Sequence, residues 1–178
     1  MDFETLVAAR RSVRAYKKGV TVTEEQIERI VACAQNAPSW KNSQTGRYYA
    51  AITPEAVEKV RSALSPYNAN NTANASAYVV ATFVTNRSGF ERDGSPTNEL
   101  GNEWGAYDLG LQNGLFLLKA KEEGLDSLVM GLRDSESLRK ALYIPETEAV
   151  MSVIALGVRD IEPEKPPRKD LAAILKIR

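Results

Sequence analysis

Histidine is absent from the 178 residues, and cysteine occurs once, as Cys33. The first absence removes the usual general base of hydrolases and the commonest transition-metal ligand. The second rules out an internal disulfide, and Cys33, set among Val31, Ala32 and Ala34 in a helical pattern, reads as buried filler. No apolar run is long enough to cross a bilayer, so no membrane partner is expected. Nor is one sign of charge in surplus: Lys+Arg and Asp+Glu both number 23, which excludes the global basic surface that a nucleic-acid backbone demands. The opening Met-Asp-Phe-Glu lacks the basic-then-apolar order of an export signal, and a cytoplasmic address is expected. An enzyme without histidine works if a bound cofactor carries the chemistry and the protein supplies orientation and electrostatics.

With 43% apolar residues, no internal repeat and no linker, residues 1–178 read as one domain with a sizeable core. Asp2 is placed to cap a short helix bearing Phe3, Leu6 and Val7 at helical spacing. Thr23 and Gln26 form a capping-box pair ahead of a stripe of Ile27, Ile30, Val31 and Ala34 that stops before Pro38. A strand-like run from Tyr48 to Ile52 leads to a helix opened by Thr53-Pro54, with Val57, Val60 and Leu64 inward. An Asn-rich connection is expected from Tyr67 to Asn74, then a buried strand from Tyr78 to Thr85. Asn86 to Asn102 is polar and long for a loop, which signals a functional purpose or disorder. The longest helix is predicted over about Trp104 to Glu123, apolar nearly all round and so central, with Gly124 to end it. A short strand near Leu128 and Val129, a helix capped by Ser135, a strong strand from Val150 to Leu156 and a final short helix complete the reading.

Arg10, Ser12 and Arg14 are spaced two apart after the first helix, so in an extended segment all three face one way. Two guanidiniums and a hydroxyl on one face suit a terminal phosphate, and equally describe an exposed basic strand with ordinary surface salt bridges. Asn42 and Gln44 offer amide donors and acceptors, or else bond their own loop backbone. Gly131 permits close backbone approach of a ligand, or ends a strand. Arg168 and Lys169 are a second basic element, or a solvated charge pair on a terminal helix. Phe90 and Trp104 are candidates for substrate contact and for packing alike.

Taken together, Arg10-Arg11-Ser12-Val13-Arg14 after an amphipathic first helix and Ala37-Pro38-Ser39-Trp40-Lys41-Asn42-Ser43-Gln44 after the second resemble, in order and separation, the two N-terminal signatures of the nitroreductase family. The resemblance continues through Gly124-Leu125, Met130-Gly131, Leu156-Gly157 and Pro166-Pro167-Arg168-Lys169-Asp170-Leu171. It implies an α+β nitroreductase-like fold, a central mixed β-sheet flanked by helices in an intertwined homodimer, with FMN at the subunit interface. It implies that Arg10 and Ser12, with Arg11 beside them, hold the flavin phosphate, that Arg14 reaches the pyrimidine end of the ring, and that Arg168 and Lys169 close on the phosphate. Pro38, Ser39, Trp40, Asn42 and Gln44 match a loop that reaches the flavin, commonly from the partner subunit, although Trp40 stands where a small residue is expected. Met130 and Gly131 match a backbone segment beside flavin N5. The activity implied is ping-pong transfer of hydride from NADH or NADPH through FMN to a small-molecule electron acceptor, with no side-chain acid or base required. A different reductive or dehydrogenase reaction on the same scaffold, and a flavin carrier or sensor without turnover, are the alternatives.

Overall fold

The local signals act first. In the computed structural model, which describes all 178 residues, Asp2 accepts the Thr5 N–H at 2.9 Å and opens α1 (Phe3–Ala9). The Thr23–Gln26 capping box is formed in full at the start of α2 (Glu24–Ala34). Then follow β1 (Gly46–Ala51), α3 (Pro54–Ser62), α4 (Pro66–Asn71), β2 (Ala77–Val84), α5 (Glu103–Glu122), β3 (Asp126–Met130), α6 (Ser135–Leu142), β4 (Glu148–Gly157) and the short α7 (Leu171–Ile174). The four strands make one sheet in the order β1-β2-β4-β3. Helices pack on both faces of it, which gives the expected α+β architecture.

Four expectations are corrected. All three ladders of the sheet are antiparallel rather than mixed, and the one parallel pairing is the isolated bridge Ser12–Ser127. The Asn-rich connection is not a bare turn: Ser65 caps it through the Asn68 N–H, Pro66 sits at its first position, and α4 forms. The cap of α6 is Asp134, one residue before Ser135, because a carboxylate there accepts from both the Glu136 and Ser137 N–H groups. Cys33 is only half-buried, since it faces away from the stripe that α2 turns to the core.

Two cores lie on opposite sides of the sheet. One joins Val13 and Tyr16 to Val60, Tyr78, Met130, Leu138 and Val153; the other joins Ile27 and Ile30 to Val79, Leu109, Phe116, Ile154 and Leu156. Helix α5 belongs to the second core. It is less central than its composition predicts: Leu109, Phe116 and Ala120 are buried with the polar Asp108 and Gln112, whereas Leu111, Leu115 and Leu118 are half-exposed. Gly105 lets α5 close on β2, since a Cβ there would stand 2.4 Å from the Phe83 ring. Gly124, with φ of 80°, ends α5 as expected.

The segment after α1 is anchored by one buried ion cluster. Asp126, whose side chain is 3% exposed, accepts from Arg159 Nη2 at 2.6 Å and from Lys121 Nζ at 3.0 Å. Its second oxygen accepts the Arg159 backbone N–H at 3.1 Å, while Arg159 Nη2 also reaches the Ala9 carbonyl at the end of α1 at 3.3 Å. Burial pushes the Asp126 carboxyl up, but the hydrogen bonds from Arg159 and Lys121 outweigh it and hold the group below the usual aspartate value.

Two stability effects follow. Asp126→Asn leaves Arg159 and Lys121 without their buried partner and costs about 3 kcal/mol at pH 7 in urea denaturation. Because the folded-state pKa is lowered, that contribution is whole above about pH 4 and fades as pH falls from there toward the lowered value, so wild type and variant converge in acid. Gly105→Ala destabilises by about 1–2 kcal/mol in the same assay, although alanine is the better helix former, because the Phe83 ring has to move.

Candidate functional site

Residues 10–17 run extended along the edge of the sheet, held by Val13 N–H to Ser127 O (3.0 Å), Lys17 N–H to Val158 O (2.9 Å) and Asp160 N–H to Ala15 O (3.0 Å). Val13 and Tyr16 turn inward and are buried. The alternation about Val13 sends Arg10, Ser12 and Arg14 outward, breaking only before the buried Tyr16, and all three line one hollow of about 310 Å³. Pro163, Glu164, Lys165, Pro166 and Arg168 form its other wall, so five cations face one carboxylate. The side chains of Arg10, Ser12 and Arg14 make no hydrogen bond or ion pair within the chain. Such ready donors on a fixed backbone suit a phosphate better than a surface salt bridge. Arg11 differs, because its Nη1 donates to the Ala8 carbonyl at 2.5 Å and the Arg10 carbonyl at 2.9 Å, capping α1, while its buried Nε has no partner. Lys169 lies outside the hollow's lining; Lys165, which the sequence reading passed over, lies within it. A lysine between prolines three residues before Arg168 was the available signal.

The loop after α2 is held in an unusual backbone. A 3-10 turn spans Trp40–Asn42. Lys41, Asn42 and Gln44 all have positive φ, at 46°, 53° and 48°, which is uncommon outside glycine and concentrates where surrounding contacts enforce it for a purpose. The enforcing contact is Asp108 of α5, buried, which accepts the Trp40 N–H at 3.0 Å and the Ser88 hydroxyl. Ser39 Oγ accepts the Gln44 N–H at 3.0 Å. Trp40 is half-buried against Trp104, with ring centroids 4.6 Å apart, so the bulky residue is absorbed by packing. Pro38, Asn42 and Gln44 are left exposed. A lone acid inside an otherwise apolar helix marks Asp108 in the sequence, and it was missed.

Met130 has its side chain in the core, so only its backbone is available to a ligand; Gly131 is exposed, and nothing stands within 4 Å of where its Cβ would be. The next residue, Leu132, offers its carbonyl to Asn68 Nδ2 at 3.2 Å and Ser65 N at 3.3 Å. Asn68 is therefore occupied structurally, whereas the Asn71 amide nitrogen is buried without a partner. The fork lies beside β3, and Met130–Gly131 end that same strand.

The 38–44 loop is elsewhere. Ser127, Leu156 and Ala77 form one cross-strand row near the fork, and Gly46 pairs with Phe83 beside the loop. From Ala77 to Phe83 is roughly 20 Å at about 3.3 Å per residue, and the three inter-strand spacings from β3 to β1 add roughly 14 Å sideways. The two groups thus sit at opposite corners of the sheet, roughly 24 Å apart.

The family model described as "Nitroreductase family" matches residues 7–83 and 59–158. A Bacillus subtilis protein named as the NAD(P)H nitroreductase YdgI is 34% identical over 83 residues, which spans 47% of this chain and 39% of that protein. An Archaeoglobus fulgidus protein named as an NADH dehydrogenase/NAD(P)H nitroreductase is 29% identical over 156 residues, 85% of this chain and 82% of its own length. Among solved structures, a protein of Exiguobacterium sibiricum crystallised in complex with FMN superposes with a TM-score of 0.88 at 18% identity, covering 100% of this chain and 98% of that one; it shares the fold. With the family model matching most of its length, and the two arginine-rich and proline-led motifs standing at the corners of its sheet, the chain belongs to the nitroreductase family.

Proposed function

We propose that this chain is an FMN-dependent oxidoreductase, working as a homodimer that passes electrons from NADH or NADPH to a small acceptor by a ping-pong route. One observation carries the reading: a pocket with five cations against one carboxylate, lined by Arg10, Ser12 and Arg14 with no partners of their own, on a chain whose net charge is zero. That donor set fits a dianionic phosphate monoester, and Arg11, which also lines the hollow, keeps its Nε unpartnered. The FMN bound to the Exiguobacterium protein supports that cofactor, and the names of the two relatives support a nicotinamide donor.

Arg10, Ser12, Lys165 and Arg168 would hold the flavin phosphate, with Arg11 stiffening the segment from the end of α1 and Lys169 just beyond. Arg14 would face the pyrimidine end of the ring, where a fixed cation stabilises the negative charge that reduction builds around N1 and the C2 carbonyl. The open backbone at Met130 and Gly131 allows close approach to N5. Bound FMN supplies the hydride chemistry itself, so no side-chain acid or base is assigned. The loop of Pro38, Ser39, Trp40, Asn42 and Gln44 stands too far from the fork of its own chain to share one flavin with it. A second copy would bring it there, with Asn42 and Gln44 supplying amide contacts. Two further features favour that assembly: α5 leaves Tyr107 59% exposed beside the half-exposed Leu111 and Leu115, and the C-terminal segment carries Leu171, Ile174 and Ile177 without cover on its own chain.

The protein as purified is expected to show a flavin spectrum, to release FMN on denaturation, and to bleach under NADH or NADPH without oxygen, recovering on addition of a nitroaromatic or quinone. FMN that stays oxidised would favour a carrier or sensor, and inability to take up FMN would sink the reading. Arg10→Ala and Arg14→Ala each weaken FMN affinity by about tenfold or more in fluorescence titration, through loss of a charge-assisted contact. Chains carrying Arg10→Ala with Arg14→Ala, and chains carrying Asn42→Ala with Gln44→Ala, are each expected to bind FMN poorly alone. Co-expressed, they regain one intact site per mixed dimer; absence of any recovery would place fork and loop contacts in one chain.

A further inference from the structure

We infer that the hollow beside Trp40 recognises the 2′-phosphate of the nicotinamide donor, so that this chain prefers NADPH to NADH. The inference rests on the oxidoreductase reading above and deepens it. This second hollow, of about 450 Å³, is lined by Trp40, Lys41, Arg87, Phe90 and Arg92, with Glu91 as its one acid. Glu91 is already engaged: Lys41 Nζ stands 3.2 and 3.3 Å from its two oxygens, and the Thr97 hydroxyl donates to it at 3.0 Å. Arg87 and Arg92 make no side-chain hydrogen bond or ion pair anywhere in the chain, and both are exposed. Two unengaged guanidiniums therefore remain beside a neutralised pair.

The frame that carries them is ordered. Asn86 and Asn102 clamp the base of the loop, the Asn86 N–H donating to Asn102 Oδ1 at 2.7 Å and Asn102 Nδ2 to Asn86 Oδ1 at 3.0 Å. Above the clamp, the Glu91 N–H reaches the Ser95 carbonyl and the Thr97 N–H the Gly89 carbonyl, both at 2.8 Å. Gly89 is required there, because a Cβ would stand 2.7 Å from the Trp104 ring. The long polar stretch from 86 to 102 is thus a built platform, and a platform of that length presenting two free arginines implies a ligand.

The chemistry points to a particular group. A phosphate monoester at pH 7 carries about −1.5 to −2 charge and three acceptor oxygens, which two guanidiniums can engage in bidentate fashion. A dinucleotide's pyrophosphate spreads its charge over two diester-like centres, and NADH has no monoester at all. The Trp40 and Phe90 rings line the same hollow and give an adenine a surface to stack on, as aromatic side chains do for bases generally. The loop of Trp40, Lys41 and Asn42 is common to this hollow and to the proposed flavin contacts, so a nucleotide seated here adjoins the flavin site.

Of the two tryptophans of the chain, Trp40 lines this hollow and Trp104 packs against it, so intrinsic fluorescence reports occupancy without turnover. The FMN-loaded protein titrated with adenosine 2′,5′-bisphosphate and with 5′-AMP should bind the bisphosphate at least tenfold tighter, and less so as salt rises. The Arg87→Ala/Arg92→Ala variant, its folding checked by thermal melting, should lose that difference, and its ratio of kcat/KM for NADPH over NADH should fall about tenfold or more. Equal affinity for the two nucleotides, or a preference that survives the double substitution, overturns the proposal. Flavin reduced equally well by both donors overturns it too while leaving the oxidoreductase reading intact; a protein that takes up no FMN fails that reading instead, and the same titration of the flavin-free protein then decides the phosphate site.

Discussion

The buried carboxylate of Asp126 sets the geometry on which the proposed phosphate site depends. Four parts of the chain meet at it: the end of α1 through the Ala9 carbonyl, the end of α5 through Lys121, the start of β3, and the segment after β4 through Arg159. The extended residues 10–17 lie between the last two, hydrogen-bonded to both. Two-residue alternation about Val13 then sends Arg10, Ser12 and Arg14 into one pocket, and the bridge to Arg159 holds Tyr16 in the core. An anion site built this way holds several cations close together, which is costly unless the backbone beneath is fixed independently of the ligand. The ion cluster provides that independence, since Asp126 and Glu162 together balance Arg159 and Lys121 and the Asp126 oxygens are buried.

At the opposite corner of the sheet another buried acid plays the comparable part. Asp108 sits in the apolar environment of α5 and draws in the Trp40 N–H and the Ser88 hydroxyl, so the 38–44 loop and the start of the 86–102 platform are fastened to one oxygen. The positive φ angles at Lys41, Asn42 and Gln44 are the local consequence of pulling the chain across the end of a rigid helix. A single buried acid in the second turn of α5 thereby positions two loops that approach it from different parts of the sequence.

The distance between these two corners is itself informative. The motifs that signal the family are separated across the whole sheet, while the apolar surface of α5 and the C-terminal segment remains uncovered on the single chain. An architecture of this kind is explained economically if each copy supplies one half of two identical sites, because a symmetric pairing covers the apolar faces and brings fork and loop together in a single step. On the proposed reading, two basic hollows on a chain of zero net charge would have separate tasks, one for each phosphate-bearing partner of a flavin reaction.

Much of this molecule was readable from residue order. Caps at Asp2, Thr23 and Thr53, the terminating Gly124, the strands around Tyr78 and Val153, and the outward row of Arg10, Ser12 and Arg14 all depend on interactions within a few residues, and the spacing of side chains records them directly. The Asn-rich helix α4 was hidden because asparagine favours turns by propensity, and here Ser65, Pro66 and the Leu132 carbonyl override it. Lys165, Asp108 and the pairing of Arg87 with Arg92 around Trp40 were beyond the reach of spacing, since each acquires its meaning from residues many tens of positions away. The sequence by itself determined which chemistry the chain carries, because charge, hydrogen-bonding capacity and local backbone preference belong to the residues. Only the tertiary structure decided which of those residues share a pocket and which stand at opposite corners, because that depends on how a four-stranded sheet orders its strands and on where two buried carboxylates draw the chain together.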